Sequence, residues 1–264
     1  MTFLLVFILV FLGIELFKTQ AQQSEKKWKL VFEDKFNQSN GSMPDTAKWI
    51  YVSRQPYLWS RWIGNSSKTV YIRNGCLVCR AVPNFNSGND TAKMVTGAIS
   101  TFGKFSFQYG KVEVKMRTNI MDGNFPAAWL LPVFPGKPYR YGEIDIFESF
   151  GSEGVSHQTI HNHLSNVLGV SQPLTVKRKL NVRDWHIYGV EWSPTSITLT
   201  IDSENTAVFY KTSSREELAS GQWTFDRPYY IVLNQSVGNN SWNTPNTKQI
   251  YETQFDWIRV YQTE

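Results

Sequence analysis

The stretch YGEIDIFESFG, residues 141–151, sets three carboxylates inside a run that otherwise favours burial. Glu143, Asp145 and Glu148 are the acids, and Ile144, Ile146 and Phe147 are the apolar residues between them. On a helix, at about 100° per residue, the acids would point at roughly 0°, 200° and 140° and would not converge. On a strand, Glu143 and Asp145 share one face while Ile144 and Ile146 take the other. Regular alternation would then send Glu148 into the core, where an unpaired carboxylate is expensive. A β-bulge at Ile146–Phe147 inserts one residue and returns Glu148 to the acid face. A plain solvated strand face accounts for Glu143 and Asp145, but not for Glu148 beside Phe147 and ahead of Phe150.

Three carboxylates along one strand face suit cleavage of a glycosidic bond with retention, which uses two carboxyl groups about 5–5.5 Å apart. One attacks the anomeric carbon while the other, held protonated, donates to the leaving oxygen. Crowding supplies the difference in acidity, because like charges oppose each other's ionisation and keep one acid neutral near pH 7. Glu143 and Glu148 are the candidate pair, with Asp145 placed between them to tune a neighbour.

The elements that must hold these acids are nearly all strands. WKLVFEDKF, TVYIRNGCLVCRAV, HIYGVEWSPTSITLTID, RPYYIVLNQSV and FDWIRVYQT are β-branched and aromatic, punctuated by turn clusters such as SNGS, NSGND and GNNS. KVEVKMRT alternates Val112, Val114 and Met116 against Lys111, Glu113, Lys115 and Arg117, the period of a half-solvated antiparallel strand. SSREELASG is the one helix expected, acidic in its first turn. No repeat or Pro/Ser-rich linker divides the chain. Many short antiparallel strands over about 240 residues predict an all-β sandwich of two antiparallel sheets, a jelly roll.

Composition narrows the function classes. With 41% hydrophobic and 15% aromatic residues the chain can build a sizeable core. Its net charge of +5 is scattered, without the basic stripe of a nucleic-acid binder. Residues 3–14 form an apolar run too short for a membrane span. That run, followed by Thr19-Gln20-Ala21, reads as a signal peptide over 1–21, although no Lys or Arg precedes it. The expectation is a secreted or periplasmic protein, with no membrane contact once the signal is cleaved and a single domain over 22–264. Cys76 and Cys79, at i and i+3 of a strand, point to opposite faces and read as two buried free thiols. His157, His161 and His163 share a strand face by parity but span too far for a tetrahedral metal site, so no catalytic metal is expected.

GEIDIFE resembles the active-site signature of glycoside hydrolase family 16 in its bulged form, E-[ILV]-D-x-x-E. The resemblance runs further, through YGKVEVKMRT and GNFPAAWLLP, then HQTIH, LNQSVGNNSW and FDWIRVYQ, to the family's laminarinase-like branch, which includes endo-β-galactosidases. It implies a jelly roll with a concave cleft for a polysaccharide or glycan chain. Carried over by position, it makes Glu143 the nucleophile, Glu148 the acid/base and Asp145 the assisting acid. It makes Trp129 the cleft tryptophan, His161 the histidine beside the acid/base, and Asn234 and Trp242 sugar-subsite residues. No cofactor is implied for catalysis. The family's structural calcium has one counterpart here, Asp256.

Two segments depart from the laminarinase-like pattern. Phe125 stands for Trp in GNFPAAW, and Tyr139-Arg140-Tyr141 replaces the Trp-Pro segment ahead of GEID. Both shape the central sugar sites, where an axial or an equatorial hydroxyl is told apart by fit. The reading therefore leans to an endo-β-galactosidase acting on N-acetyllactosamine or mucin-like chains, with an endo-β-1,3(1,4)-glucanase as the alternative. A glycan-recognition protein without catalysis is the alternative of another class. The loop QPYLWSRWIG brings Tyr57, Trp59 and Trp62 as cleft-wall candidates without an assigned role. A monomer is expected.

Overall fold

The computed structural model describes residues 26–86, 88, 90–134, 141–239 and 243–264. The signal-peptide reading, Tyr139-Arg140 and Trp242 lie outside the described residues.

The described residues form fifteen strands and two short helices, in order: β1 (Trp28–Asp34), β2 (Ile50–Tyr51), β3 (Val70–Arg73), β4 (Cys76–Pro83), β5 (Met94–Ser100), β6 (Gly110–Thr118), β7 (Asn124–Pro132), β8 (Gly142–Glu148) and β9 (Val155–Asn162). Helix α1 (His163–Asn166) then leads to β10 (Leu174–Lys179), β11 (His186–Trp192), β12 (Ser196–Ile201) and β13 (Glu204–Tyr210). Helix α2 (Arg215–Ala219), β14 (Tyr229–Val237) and β15 (Tyr251–Thr263) complete the chain. The strand pairs are antiparallel. One layer runs β3-β4-β15-β6-β11-β12-β13, with β1 added along β15. The other runs β10-β9-β8-β7-β14-β5, with β2 at its end. β5 joins them, since Met94–Thr96 pair with β4 while Gly97–Ser100 pair with β14.

Local chemistry explains the elements. In β6 every second residue is buried, and Val112, Val114 and Met116 enter the core as the alternation predicts. The β3–β4 hairpin turns on Asn74-Gly75, both at positive φ (53° and 71°), the conformation these two residues supply most readily. Helix α2 is the expected one, started by Ser214, whose side chain accepts the Glu217 N–H. Helix α1 was not expected. Asn162 and Ser165 form a reciprocal capping box there, so His163 leaves the strand face on which parity put it.

The main core fills the space between the layers. Ile144, Ile146 and Phe147 of β8 belong to it together with Tyr188 and Val190 of β11, and the Phe147 and Tyr188 ring centroids are 4.5 Å apart. Full burial of such side chains contributes about 1.5–3 kcal/mol each, which makes β8 expensive to displace. Cys79 is fully buried, and burial drives its thiol far above the usual range. Cys76 is free as well but only half-buried, because it is the first residue of β4, next to the hairpin turn. Among the described residues no helix is long and apolar enough to cross a membrane.

Candidate active site

The acid strand contains the expected bulge. Asp145 stands opposite Thr159 of β9, whereas Glu148 stands opposite His157, so β8 uses one residue more than β9 over this step. The same irregularity appears against β7, where Trp129 faces Asp145 and Ala128 faces Phe147. Both Ile146 and Phe147 therefore turn into the core, and Glu148 returns to the side of Glu143 and Asp145. Fully buried Gln158 holds the carbonyl of the inserted Ile146 through its Nε2 at 2.9 Å.

That side is a cleft of about 590 Å³ lined by all three acids. Its floor comes from strands buried on both faces. Phe125, Ala127, Trp129 and Leu131 of β7 line it, as do Tyr230, Val232 and Asn234 of β14, each set at alternate positions. The residues between them, such as Leu130, Ile231 and Leu233, belong to the core behind. Tyr57 and Trp59 wall the cleft. Trp62 does not; it packs with Met94 and Tyr251 in a separate cluster, under the Arg61 guanidinium 4.1 Å from its ring.

A closed circuit of contacts fixes the tryptophan of the floor. Trp129 donates its indole N–H to Asn234 Oδ1 at 2.8 Å, and Asn234 Nδ2 donates to Ser236 Oγ at 3.0 Å. Ser236 Oγ donates to the Trp59 carbonyl at 2.6 Å, and the Trp59 ring meets Trp129 edge-on at 4.9 Å. Every polar atom in that circuit serves to set the Trp129 plane.

Around the acids, Tyr141 Oη donates to Glu143 Oε2 at 2.6 Å. His161, opposite Glu143 in register, brings Nε2 to 3.1 Å from Asp145 Oδ2 and 3.9 Å from Glu143 Oε1. Asp145 Oδ2 has no well-directed hydrogen bond, so the His161 contact is electrostatic. The resemblance put His161 beside the acid/base. In the structure its nearest carboxylates are Asp145 and Glu143, while His157 takes the position across from Glu148.

Burial is the first cause of raised acidity constants at all three acids. Glu143 is pushed up to about 8 by burial and then by the Asp145 charge, against the pull of His161 and the Tyr141 hydroxyl. Asp145 also rises on burial, with the Glu143 hydrogen bond working the other way. Glu148 stands well above the usual carboxylate range through burial, then through the charges of Asp145 and Glu143, with only His161 opposing. Two groups thus favour an ionised Glu143, whereas one favours an ionised Glu148.

Asp256 is the residue that the resemblance set against the family's structural calcium. Its carboxylate meets Lys115 Nζ at 2.8 Å, and it joins no group of three metal-ligating side chains among the described residues. Ligand atoms of Glu143, Asp145 and His161 lie within 4.8 Å of one another, where the imidazole–carboxylate contact already engages them.

Sequence reasoning brought Glu143, Asp145, Glu148, Trp129 and Asn234 to one cleft, and His161 to its acidic end. It did not single out Tyr141 as a partner of Glu143, Gln158 behind the bulge, or Tyr230 on the floor. Parity carried the signal for two of them: Tyr141 is two residues before Glu143, and Tyr230 four before Asn234.

An antiparallel β-sandwich with an acid-lined cleft across one sheet defines a carbohydrate-active class of protein. Residues 63–259 match the model for glycosyl hydrolases family 16, and the chain belongs to that family. It is 30% identical, over 89% of its length, to a keratan-sulfate endo-1,4-beta-galactosidase of Sphingobacterium multivorum. Over 89% of its length it is 29% identical to glucan endo-1,3-beta-glucosidase A1 of Niallia circulans. The chain spans 55% and 38% of those two relatives. The laminarinase of Rhodothermus marinus superposes with a TM-score of 0.76 at 27% identity, covering 90% of this chain and 99% of the laminarinase. The sandwich is thus the jelly roll of the family.

Proposed function

We propose that the chain is a retaining endo-β-glycosidase that cuts internal bonds of a galactose-containing glycan, with Glu143 as nucleophile and Glu148 as acid/base. The observation that carries the reading is the bulge at Ile146, which puts Glu148 on the side of Glu143 and Asp145. Glu143 Oε1 attacks the anomeric carbon as Glu148 protonates the leaving oxygen. Glu148 then takes a proton from the water that releases the sugar from the ester. Asp145, which interacts with Glu143 and His161, steadies the negative charge as it moves. Trp129 offers a rigid apolar plane to the sugar at the point of cleavage, and Asn234 fixes that plane from beside it. The reading adds His161 and Trp242 as further sugar contacts, as the family pattern implies, and takes the apolar leader over 1–21 as a signal for export of an enzyme that acts as a monomer.

The galactosidase reading is supported by Phe125 at the cleft, where the laminarinase-like pattern has Trp, and by the segment Tyr139-Arg140-Tyr141, which stands in place of that pattern's Trp-Pro. The keratan-sulfate-cleaving relative agrees with it. The glucanase reading has its own support in the Niallia relative. A panel digestion separates them: keratan-type and mucin-type glycans against laminarin and barley β-glucan, products read by mass. Release from the galactose-containing chains alone is expected, and release from the glucans alone would overturn the preference. No release from any glycan, with Glu143→Gln indistinguishable from wild type, would leave a glycan-recognition protein.

A further inference from the structure

Tyr141, immediately ahead of β8, and Glu143, the second residue of that strand, both line the cleft. The phenol hydroxyl reaches Glu143 Oε2 at 2.6 Å, the length of a charge-assisted O–H···O bond. Glu143 Oε1, by contrast, stands 3.9 Å from His161 Nε2, beyond hydrogen-bond range. The two oxygens of this carboxylate are therefore in different situations. Tyr141 is itself held, its main-chain N–H donating to His163 Nδ1 at 3.3 Å, and its ring lies edge-on to His161 with centroids 6.5 Å apart.

We infer that Tyr141 is a positioning residue that tethers Glu143 by Oε2 and thereby assigns Oε1 as the attacking atom. The inference rests on Glu143 being the nucleophile. A carboxylate with both oxygens free rotates about its terminal bond, and only some orientations aim a lone pair at the anomeric carbon; one tethered oxygen removes that freedom. In the first step the Oε1 lone pair forms the bond to the anomeric carbon. The glycosidic bond breaks with its electron pair going to the leaving oxygen, which takes the proton of Glu148. Oε2 becomes the carbonyl oxygen of the ester and loses most of its charge. In the second step water attacks the anomeric carbon and gives its proton to Glu148, the ester C–O bond breaks, and its electron pair returns as charge to the carboxylate under the same phenol. Tyr141 thus acts on the leaving group of the second step as well as on the aim of the first.

The groups facing Glu143, buried Tyr229 of β14 among them, set the acid limb of the rate profile. The others are Asp145 and Glu148 on its own strand, His161 on β9 and Tyr230 on β14, with His163 behind Tyr141. The Tyr141 hydrogen bond and the His161 ring both favour ionised Glu143, so loss of the former moves the limb to higher pH.

The test compares Tyr141→Phe with wild type and with Glu143→Gln, after checking by circular dichroism that all three are folded. Tyr141→Phe is expected to lower kcat about 10–100-fold with KM within about threefold. The acid limb should move upward, and intact-mass analysis should find more glycosyl-enzyme at steady state. Wild-type kcat and pH profile in Tyr141→Phe, with Glu143→Gln inactive, would overturn the role of Tyr141 and leave the nucleophile in place. A fall in kcat without any shift of the limb would overturn it too. Turnover by Glu143→Gln would overturn the nucleophile assignment and the tether with it.

Discussion

Gln158 donates its Nε2 to the main-chain carbonyl of Ile146 across 2.9 Å, at the point where β8 and β9 fall out of step. The same nitrogen reaches the Thr200 carbonyl at 3.1 Å, and Gln158 Oε1 accepts from Thr206 Oγ1 at 2.6 Å. A fully buried amide thus fills the gap left by the inserted residue. Gln158→Leu keeps the bulk but strips a buried carbonyl of its donor, a loss of about 1–3 kcal/mol and about 2–10 °C in Tm. Because that carbonyl precedes Phe147 and Glu148, kcat is expected to fall as well. Differential scanning calorimetry and initial rates on the same preparation check both; an unchanged kcat would separate Gln158 from the aim of Glu148.

The two glutamates are told apart by chemical rescue. Glu148→Ala should lose about 10²–10⁴-fold in rate on substrates with poor leaving groups. With an activated aryl glycoside, added azide should restore turnover and give the β-glycosyl azide. Glu143→Ala with azide should give the α product. Proton NMR of the azides reads the anomer, and the reverse pattern would exchange the two roles.

Stability should fall as pH rises, and removing Glu148 should lessen the fall. Its carboxyl is raised well above the ordinary range in the folded chain. Below about pH 4 folded and unfolded chains both hold the proton. Above the ordinary value the unfolded chain gives it up while the folded chain keeps it, so each further pH unit favours unfolding until the raised value is passed. Glu148→Gln is expected to melt above wild type at neutral and mildly alkaline pH and level with it below about pH 4. A melting series across that range checks it; a constant offset would mean that the gain is not electrostatic.

Asn234→Ala removes the acceptor of the Trp129 indole and the donor to Ser236. Trp129 would keep its apolar neighbours Ala127 and Val232 but lose the bond that sets its plane. The expected result is about a tenfold rise in KM with a smaller effect on kcat, read by steady-state kinetics.

Much of this site was legible in the sequence because strand parity is a strict rule. Once Glu148 could not follow the alternation without being buried unpaired, only an inserted residue could bring it back, and the structure has one. The half-buried state of Cys76 was not legible, because burial near a hairpin depends on the turn rather than on the strand pattern. Helix α1 was missed because its capping box, Asn162 with Ser165, interrupts a strand at its last residue. Trp62 and Trp59 look alike in the loop sequence. The Arg61 contacts to the Val237 and Gly238 carbonyls turn one tryptophan away from the cleft, and such long-range contacts leave no local mark.

The acids ride on an interior strand, laddered to β7 on one side and β9 on the other, with its apolar side chains in the main core. Amide protons of such a strand exchange with solvent only when much of the molecule opens. Heating or denaturant should therefore silence the enzyme and unfold it in one event, with no frayed, half-active species between, and Ile144 should rank among the slowest-exchanging amides of the chain.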